Sequence, residues 1–328
     1  MPTVVAYVST TNGAPDAVAL QGLTLARRIA AGGAVHAVVI GDAAAGADLG
    51  AAGATAVHVA QHPGLSTTAP DAVGRILADL ARSLGASAIV GPGTEAGNTV
   101  MARAAVRSGA PFAANCTAAA SGPGDGGSVG ELEVTRLRWG GSLLEEATLR
   151  GDVVALTAAP HAIAIEPVNA TAPVTTFTPE LDDRDLVVRV VDRVPPAEGG
   201  ISLADAKVVV SGGRGAGSAA GFAPIEELAA LLGAAVGCTR AVTIAGWRPH
   251  TEQVGQTGTK IAPTLYIAAG ISGATQHLAG ARGAKNLIAI NKDGDSPIMA
   301  AADYAVIGDL HEVVPAISAE IRRRRASA

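Results

Sequence analysis

Residues 265–280, LYIAAGISGATQHLAG, end an apolar run in Gly270-Ile271-Ser272-Gly273 and then set Gln276 and His277 on what reads as the opening turn of a helix. A glycine turn that feeds a helix start aims unpaired N–H donors and the positive end of the helix dipole at whatever lies before it. Ser272 is placed there either to cap the helix or to donate to a ligand oxygen. A second glycine turn, SGGRGAG (211–217), follows another β-branched run. Its glycines let backbone N–H groups approach an anion closely, and Arg214 adds a charged fork suited to phosphate. The spacing is neither a proper G-x-G-x-x-G nor a P-loop. GCTR (237–240), QVGQTG (253–258) and AINKDGDSP (289–297) contribute Thr239, Arg240, Gln256, Thr257, Asn291 and Asp293. The Asx residues also suit turn formation, and Asp309 suits the N-cap of the last helix. In a wound parallel sheet the turns beyond the strand ends meet in one crevice, so these groups are expected to converge.

Bond-cleaving chemistry would need parts that this inventory lacks. No G-x-S-x-G elbow occurs, His311-Glu312 is not followed by the second histidine of H-E-x-x-H, and no compact carboxylate pair stands out, so no catalytic residue is assigned. Hydroxyls, amides, two arginines and one histidine among glycine turns suit a large phosphorylated cofactor whose own ring does the work. Cys116 and Cys238 lie far apart without C-x-x-C or metal-ligand spacing, which predicts no disulfide, no metal and a reducing compartment. The formal charge of -5, from 24 basic and 29 acidic side chains spread along the chain, gives no footprint for nucleic acid. The one basic cluster, Arg322–Arg325, closes the last expected helix and complements its dipole. MPTVVAYVST carries neither the charged leader nor the long apolar stretch of a signal peptide, and no later segment reaches 18 uninterrupted apolar residues. A soluble, cytoplasmic protein without membrane insertion is expected.

At 328 residues, 48% of them hydrophobic but only 2% aromatic, two domains with aliphatic cores are expected. The first half alternates strands (Thr3–Val8, Val35–Ile40, Ser87–Val90) with helices near Asp16–Ala31 and Asp71–Leu84, a pattern of parallel strands and crossover helices. The stretch Ser121–Gly130 reads as a flexible hairpin or excursion loop, and Glu131–Arg138, Glu145–Leu149 and Val153–Ala158 as further strands, antiparallel ones among them. DRVPPAEGGIS (192–202) has linker composition, which places an N-terminal α/β domain at 1–193, a linker at 194–202 and a second α/β domain at 203–328. There the rhythm restarts with strand Lys207–Val210, helix Pro224–Leu232, strands Thr264–Ala269, Leu287–Ile290 and Tyr304–Ile307, and a last helix from about Asp309.

The motifs VVVSGGRG (208–215), GCTR (237–240), AGWRPHTEQVGQTG (245–258), APTLYIAAGISGATQHLAG (262–280), IAINKDGDSPI (288–298) and ADYAVIGDL (302–310), taken in order, closely resemble the electron transfer flavoprotein alpha subunit family, including its FixB-type members. The resemblance covers most of residues 203–316, whereas the first half matches only in its general α/β pattern. It implies two domains, each a mostly parallel sheet flanked by helices, the C-terminal one a Rossmann-like domain that holds FAD. It further implies a heterodimer with a beta subunit that carries AMP. The pair would be an electron carrier rather than an enzyme with its own turnover, relaying electrons from flavoprotein dehydrogenases to an acceptor oxidoreductase. By the same resemblance, Arg214, Thr239, Arg240, Val254, Gly255, Gln256, Thr257, Ser272, Gly273, Ala274, Thr275, Gln276, His277, Asn291, Asp309 and Leu310 surround the FAD. Val254 to Thr257 would line the isoalloxazine with the Thr257 hydroxyl near N5, and His277 would face the C2 carbonyl. Arg240 or His277, as a positive group near the reduced ring, would ease its reduction. A charge about 4 Å away is worth up to roughly 4 kcal/mol at an effective dielectric of 20.

Three departures from the family pattern stand out: Thr239 where serine is usual, Ile244 where an acid is common, and Thr259-Lys260 in exchanged order. Two other readings compete. A nicotinamide-dependent dehydrogenase would need an acidic ribose-binding residue about 20 residues beyond SGGRGAG at a strand end, whereas Glu226 and Glu227 fall on an expected helix. An adenine-nucleotide-binding module would use GPGTEAGNT (91–99) as a phosphate loop, a stretch that reads more simply as a structural turn.

Overall fold

The β-branched runs of the first half become the centre of a sheet whose nine described strands run in the order Val174–Phe177, Ala56–Ala60, Ala34–Ile40, Thr3–Tyr7, Ala88–Pro92, Val154–Ala158, Phe112–Ser121, Glu131–Arg138 and Leu143–Arg150. The first seven are parallel, and the last two close the sheet antiparallel. This is a computed structural model, which describes residues 1–41, 43–46, 48–65, 69–121, 131–141, 143–189 and 201–327. The chain divides into two units, Met1–Arg193 and Val194–Ala328. The expected linker at 194–202 lies, up to residue 200, outside the described residues, as does nearly all of the expected loop Ser121–Gly130.

Strand alternation decides which side chains fill which face of the first sheet. Val4, Ala6 and Val8 pack with Leu23, Ala26 and Ile29 of helix Ala17–Ala30, while Val5 and Tyr7 pack on the other face with helices Pro70–Ser83 and Glu95–Ser108. Both faces are therefore covered, as a parallel sheet requires. One segment beyond the sheet is held by charge. The Asp185 side chain, 1% exposed, accepts from Arg75 at 2.6 Å and Arg107 at 2.5 Å, one guanidinium from each of the latter two helices. Burial pushes its carboxyl up, but the Asp182 backbone N–H and the Arg75 guanidinium outweigh that and hold it below the ordinary carboxylate value.

Helix Glu95–Ser108 corrects the reading of 91–99 as a turn alone. Thr94 caps it, its Oγ1 accepting from the Gly97 N–H at 3.0 Å, and the Gly93 N–H donates to the Ala158 carbonyl at 2.8 Å. These two donors of the would-be phosphate loop are thus committed internally.

In the second unit, strand Val208–Gly212 lies between edge strand Ala235–Cys238 and strand Leu265–Ala269, followed by Leu287–Asn291 and Tyr304–Ile307. All five are parallel, in chain order 2-1-3-4-5. Helices Ala223–Leu232 and Leu310–Ala326 cover one face through Ile225, Leu228 and Val314. Helices Thr275–Ala281 and Pro297–Ala301 cover the other through Ala281, Ile298 and Met299. Arg323 and Arg324 in the last turn pair with Glu320, and Arg322 with Glu227, so three of the four clustered arginines are engaged on the protein surface. Cys116 and Cys238, one in each unit, are fully buried free thiols whose desolvation pushes each up to about 12. No described helix is long and apolar enough to cross a membrane.

Candidate functional site

The strand order of the second unit reverses direction between Val208–Gly212 and Leu265–Ala269, and the turns leaving these two neighbours open the crevice that such a switch creates. The two turns pack backbone on backbone. The Gly213 N–H donates to the Ala269 carbonyl and the Gly215 N–H to the Gly270 carbonyl, both at 3.0 Å. A Cβ at Gly213 would lie 2.2 Å from the Gly270 oxygen and one at Gly215 2.6 Å from the Gly270 Cα, so neither position admits a side chain without moving main chain. This contact places Arg214, at the start of the single turn Arg214–Ala216, on the crevice rim.

The remaining walls are set in the same manner. The Thr239 N–H donates to the Gly212 carbonyl at 3.1 Å, fixing the start of helix Arg240–Ile244. Loop 253–258 is tied to the strand end by the Val254 N–H to the Cys238 carbonyl at 2.9 Å, and to helix Thr275–Ala281 by the Gln256 N–H to the Gln276 carbonyl at 2.8 Å. Gly255 and Gly280 touch so closely that a Cβ on Gly280 would lie 2.4 Å from the Gly255 Cα. Asn291 secures the third wall, its Nδ2 donating to the Ile271 carbonyl at 2.8 Å and its Oδ1 accepting from the Asp293 N–H at 3.1 Å.

These turns enclose a cavity of about 540 Å³. Of the sixteen residues named from the sequence, thirteen line it: Arg214, Thr239, Arg240, the turn Val254–Thr257, Ser272, Gly273, Ala274, Gln276, His277 and Asn291. Three do not. Thr275 begins its helix, Asp309 caps the last helix by accepting from the His311 N–H at 2.9 Å while pairing with Lys292 at 2.8 Å, and Leu310 is buried, its side chain against Gly270. The cap of helix Thr275–Ala281 is Ala274, which leaves the exposed Ser272 hydroxyl free of that duty. Gln253, Ala241 and Ser296 line the cavity without having been singled out as site residues from the sequence.

Electrostatically the cavity is lopsided. Arg214 and Arg240 have no ion-pair partner among the described residues, while Asp293 is the only carboxylate side chain in the lining. His277 does not add to the positive charge, which corrects the expectation that it would. Its Nδ1 lies 3.1 Å from the Val254 carbonyl, which can only accept, so the proton sits on Nδ1. Its Nε2 then accepts from the Tyr266 hydroxyl at 2.7 Å. Burial pushes the ring down to about 4, against the upward pull of the Val254 carbonyl, and it is neutral at physiological pH. Tyr266, fully buried and raised in pKa by desolvation, is a support whose role nothing local in its apolar strand marks.

The competing chemistries lose ground on the same geometry. The edge strand that would carry the acid of a dinucleotide fingerprint ends at Cys238 and is followed by Thr239, and Glu226 and Glu227 lie on helix Ala223–Leu232. Among the described residues no group of three or more histidine, cysteine or carboxylate side chains is placed to hold a metal.

Comparison with known proteins agrees with the motif order. Residues 4–182 match the electron transfer flavoprotein domain, and residues 202–282 the electron transfer flavoprotein FAD-binding domain. The chain is 35% identical over 326 residues to the electron transfer flavoprotein subunit alpha of Thermoanaerobacterium thermosaccharolyticum, covering 95% of each. It is 36% identical over 330 residues to that of Mycobacterium tuberculosis, covering 99% of this chain and 100% of the relative. Protein FixB of Clostridium saccharobutylicum is 34% identical over 288 residues, 84% of this chain and 82% of that protein. With both halves matched and the relatives aligned along nearly their whole length, the chain belongs to the electron transfer flavoprotein alpha subunit family.

Proposed function

We propose that this chain is the FAD-holding subunit of a heterodimeric electron carrier, completed by a beta subunit that binds AMP, which takes electrons from flavoprotein dehydrogenases and passes them to an acceptor oxidoreductase. The observation that supports this most directly is the switch-point cavity with two arginines that have no carboxylate partner among the described residues. Its volume falls within the several hundred Å³ typical of small-molecule sites. The donor set suits a flavin dinucleotide: backbone and aliphatic surface from Val254, Gly255, Ile271 and Ala274 for a flat ring, and guanidinium, hydroxyl and amide groups for phosphates and polyol. FAD supplies the electron storage. The protein residues bind it, exclude water and set the charge around it.

Within that division of labour, Arg214, Thr239, Ser272 and Asn291 hold the polar parts, and the turn Val254–Thr257 forms the ring wall. Arg240 supplies the positive charge that makes the bound ring easier to reduce. Because Arg240 is solvent-facing, its effect is about 1 kcal/mol rather than the roughly 4 kcal/mol of a half-buried pair. Arg240→Met is therefore expected to make the flavin potential more negative by tens of millivolts, on the order of 10–40 mV. Neutral His277 shapes the wall and does not share this task.

Co-expression with a beta-type partner tests the reading. A yellow complex with the absorption bands of bound flavin is the expected product, and a colourless but correctly folded heterodimer defeats the assignment.

A further inference from the structure

Thr257 lies exposed at the cavity, and the hydrogen on its hydroxyl has two possible uses: donation to a ligand, or donation to a neighbour in the protein. Gln253 decides between them. Its side chain is buried, 1% exposed, and its carboxamide bridges two hydroxyls. Thr243 Oγ1 donates to Gln253 Oε1 at 2.7 Å, and Gln253 Nε2 donates to Thr257 Oγ1 at 3.0 Å. The main chain around the amide is pinned on both sides, by the Gln253 N–H to the His250 carbonyl at 3.0 Å and the Thr259 N–H to the Gln253 carbonyl at 2.7 Å.

We infer that Gln253 is a positioning residue that, by donating to the Thr257 oxygen, leaves the Thr257 hydrogen free to be given to an acceptor atom of the ligand in the cavity. This deepens the reading of the cavity as a flavin site and rests on it. The direction of the chain matters because Thr243 Oγ1 also lies 2.9 Å from the Arg240 carbonyl. A hydroxyl has one hydrogen to give. If Thr243 gave it to that carbonyl, the amide would turn over, Oε1 would face Thr257, and the Thr257 hydrogen would be held inside the protein. With the amide in its present sense, Thr243 anchors Oε1, Nε2 faces Thr257, and the ligand receives a hydrogen bond. A ring that gains electron density on reduction accepts that bond more strongly when reduced.

The test is a double-mutant cycle on the full chain co-expressed with its partner subunit and loaded with FAD, reading the ratio of oxidised to reduced flavin dissociation constants through the flavin potential. Gln253→Glu keeps the size of the side chain, but its carboxylate can only accept and captures the Thr257 hydrogen. Its added charge acts equally in the T257V background and cancels in the cycle. The expected coupling between positions 253 and 257 is about tenfold in favour of the reduced flavin, which is close to 30 mV for a two-electron couple. If Gln253→Glu does not fold, Gln253→Met, which frees the Thr257 rotor, is expected to give a coupling of the same sign and about threefold. A coupling within error of zero in a flavin-loaded complex means that Thr257 was already giving its hydrogen to Gln253, and overturns the inference while leaving the flavin reading intact. A wild-type complex that takes up no FAD overturns both.

Discussion

At the scale of single residues, the walls of the site rest on buried polar side chains bonded to other groups of the protein, and His277 is the clearest case. Its folded pKa of about 4 lies below the ordinary value near 6.5 because burial disfavours the charged ring. Between those two pH values the unfolded chain binds a proton that the folded chain refuses. The contribution of His277 to stability is therefore complete above about pH 6.5 and is lost as pH falls toward 4, with a ceiling of order 3 kcal/mol. His277→Gln should flatten this stretch of the stability curve, as measured by urea midpoints at pH 7 and pH 4.5. Equal slopes for wild type and variant would place the ring in solvent. In the sequence His277 reads as a positive contact because it stands beside glycine turns and two arginines. The Tyr266 hydroxyl that claims its second nitrogen is eleven residues away and lies within an apolar strand, so only the packed structure reveals the pair. Gln253 was likewise visible only as the first letter of QVGQTG: Thr257 follows it in the same loop, but the Thr243 hydroxyl that orients the amide comes from helix Arg240–Ile244.

At the scale of elements, backbone contacts between glycines carry the architecture of the cavity, and one substitution addresses this directly. Gly280→Ala puts a methyl carbon against the main chain of Gly255 at 2.4 Å, where no flexible side chain can give way. Helix Thr275–Ala281 and loop 253–258 must then part. FAD affinity is expected to fall at least tenfold with a loss of about 1–3 kcal/mol in stability, by flavin titration and chemical denaturation. Unchanged affinity would show that the loop tolerates displacement. In the other unit, Asp185→Asn removes the charge that two arginines share, and should cost about 2–4 kcal/mol at pH 7 by denaturant unfolding. Because its folded carboxyl sits below the ordinary value, that contribution is present above about pH 4 and fades as pH falls through the folded pKa. Elements with a clear period were legible in advance: Leu310–Ala326 starts one residue after its expected cap, and Tyr304–Ile307 matches the expected span. Those that were not legible lacked local signal. Phe112–Ser121, FAANCTAAAS, has no β-branched run and is a strand because Val154–Ala158 and Glu131–Arg138 bond to its two sides. Helix Glu95–Ser108 begins among glycine, threonine and asparagine, and its apolar stripe of Val100, Met101, Ala104 and Ala105 starts only after the first turn.

At the scale of the whole molecule, two α/β units, each with its sheet packed on both faces, were expected from the alternation of short apolar runs and alanine-rich segments, and both sheets are found. The motif order in the second half pointed to the family, and the matched domains and relatives bear that out along most of the chain. The placement of the two cysteines has a practical result. Each unit contains one thiol with no accessible surface, kept protonated at neutral pH by its surroundings. A thiol-reactive mass tag can therefore modify Cys116 or Cys238 only during an opening of the unit that holds it. Peptide mapping after timed labelling should yield two separate opening rates from one sample, and immediate modification of either thiol in native protein would contradict its burial. Saturation with FAD is expected to slow tagging at Cys238, whose carbonyl anchors the cavity loop, and to leave the clock at Cys116 unchanged. The molecule thus carries its own pair of stopwatches, one for each half.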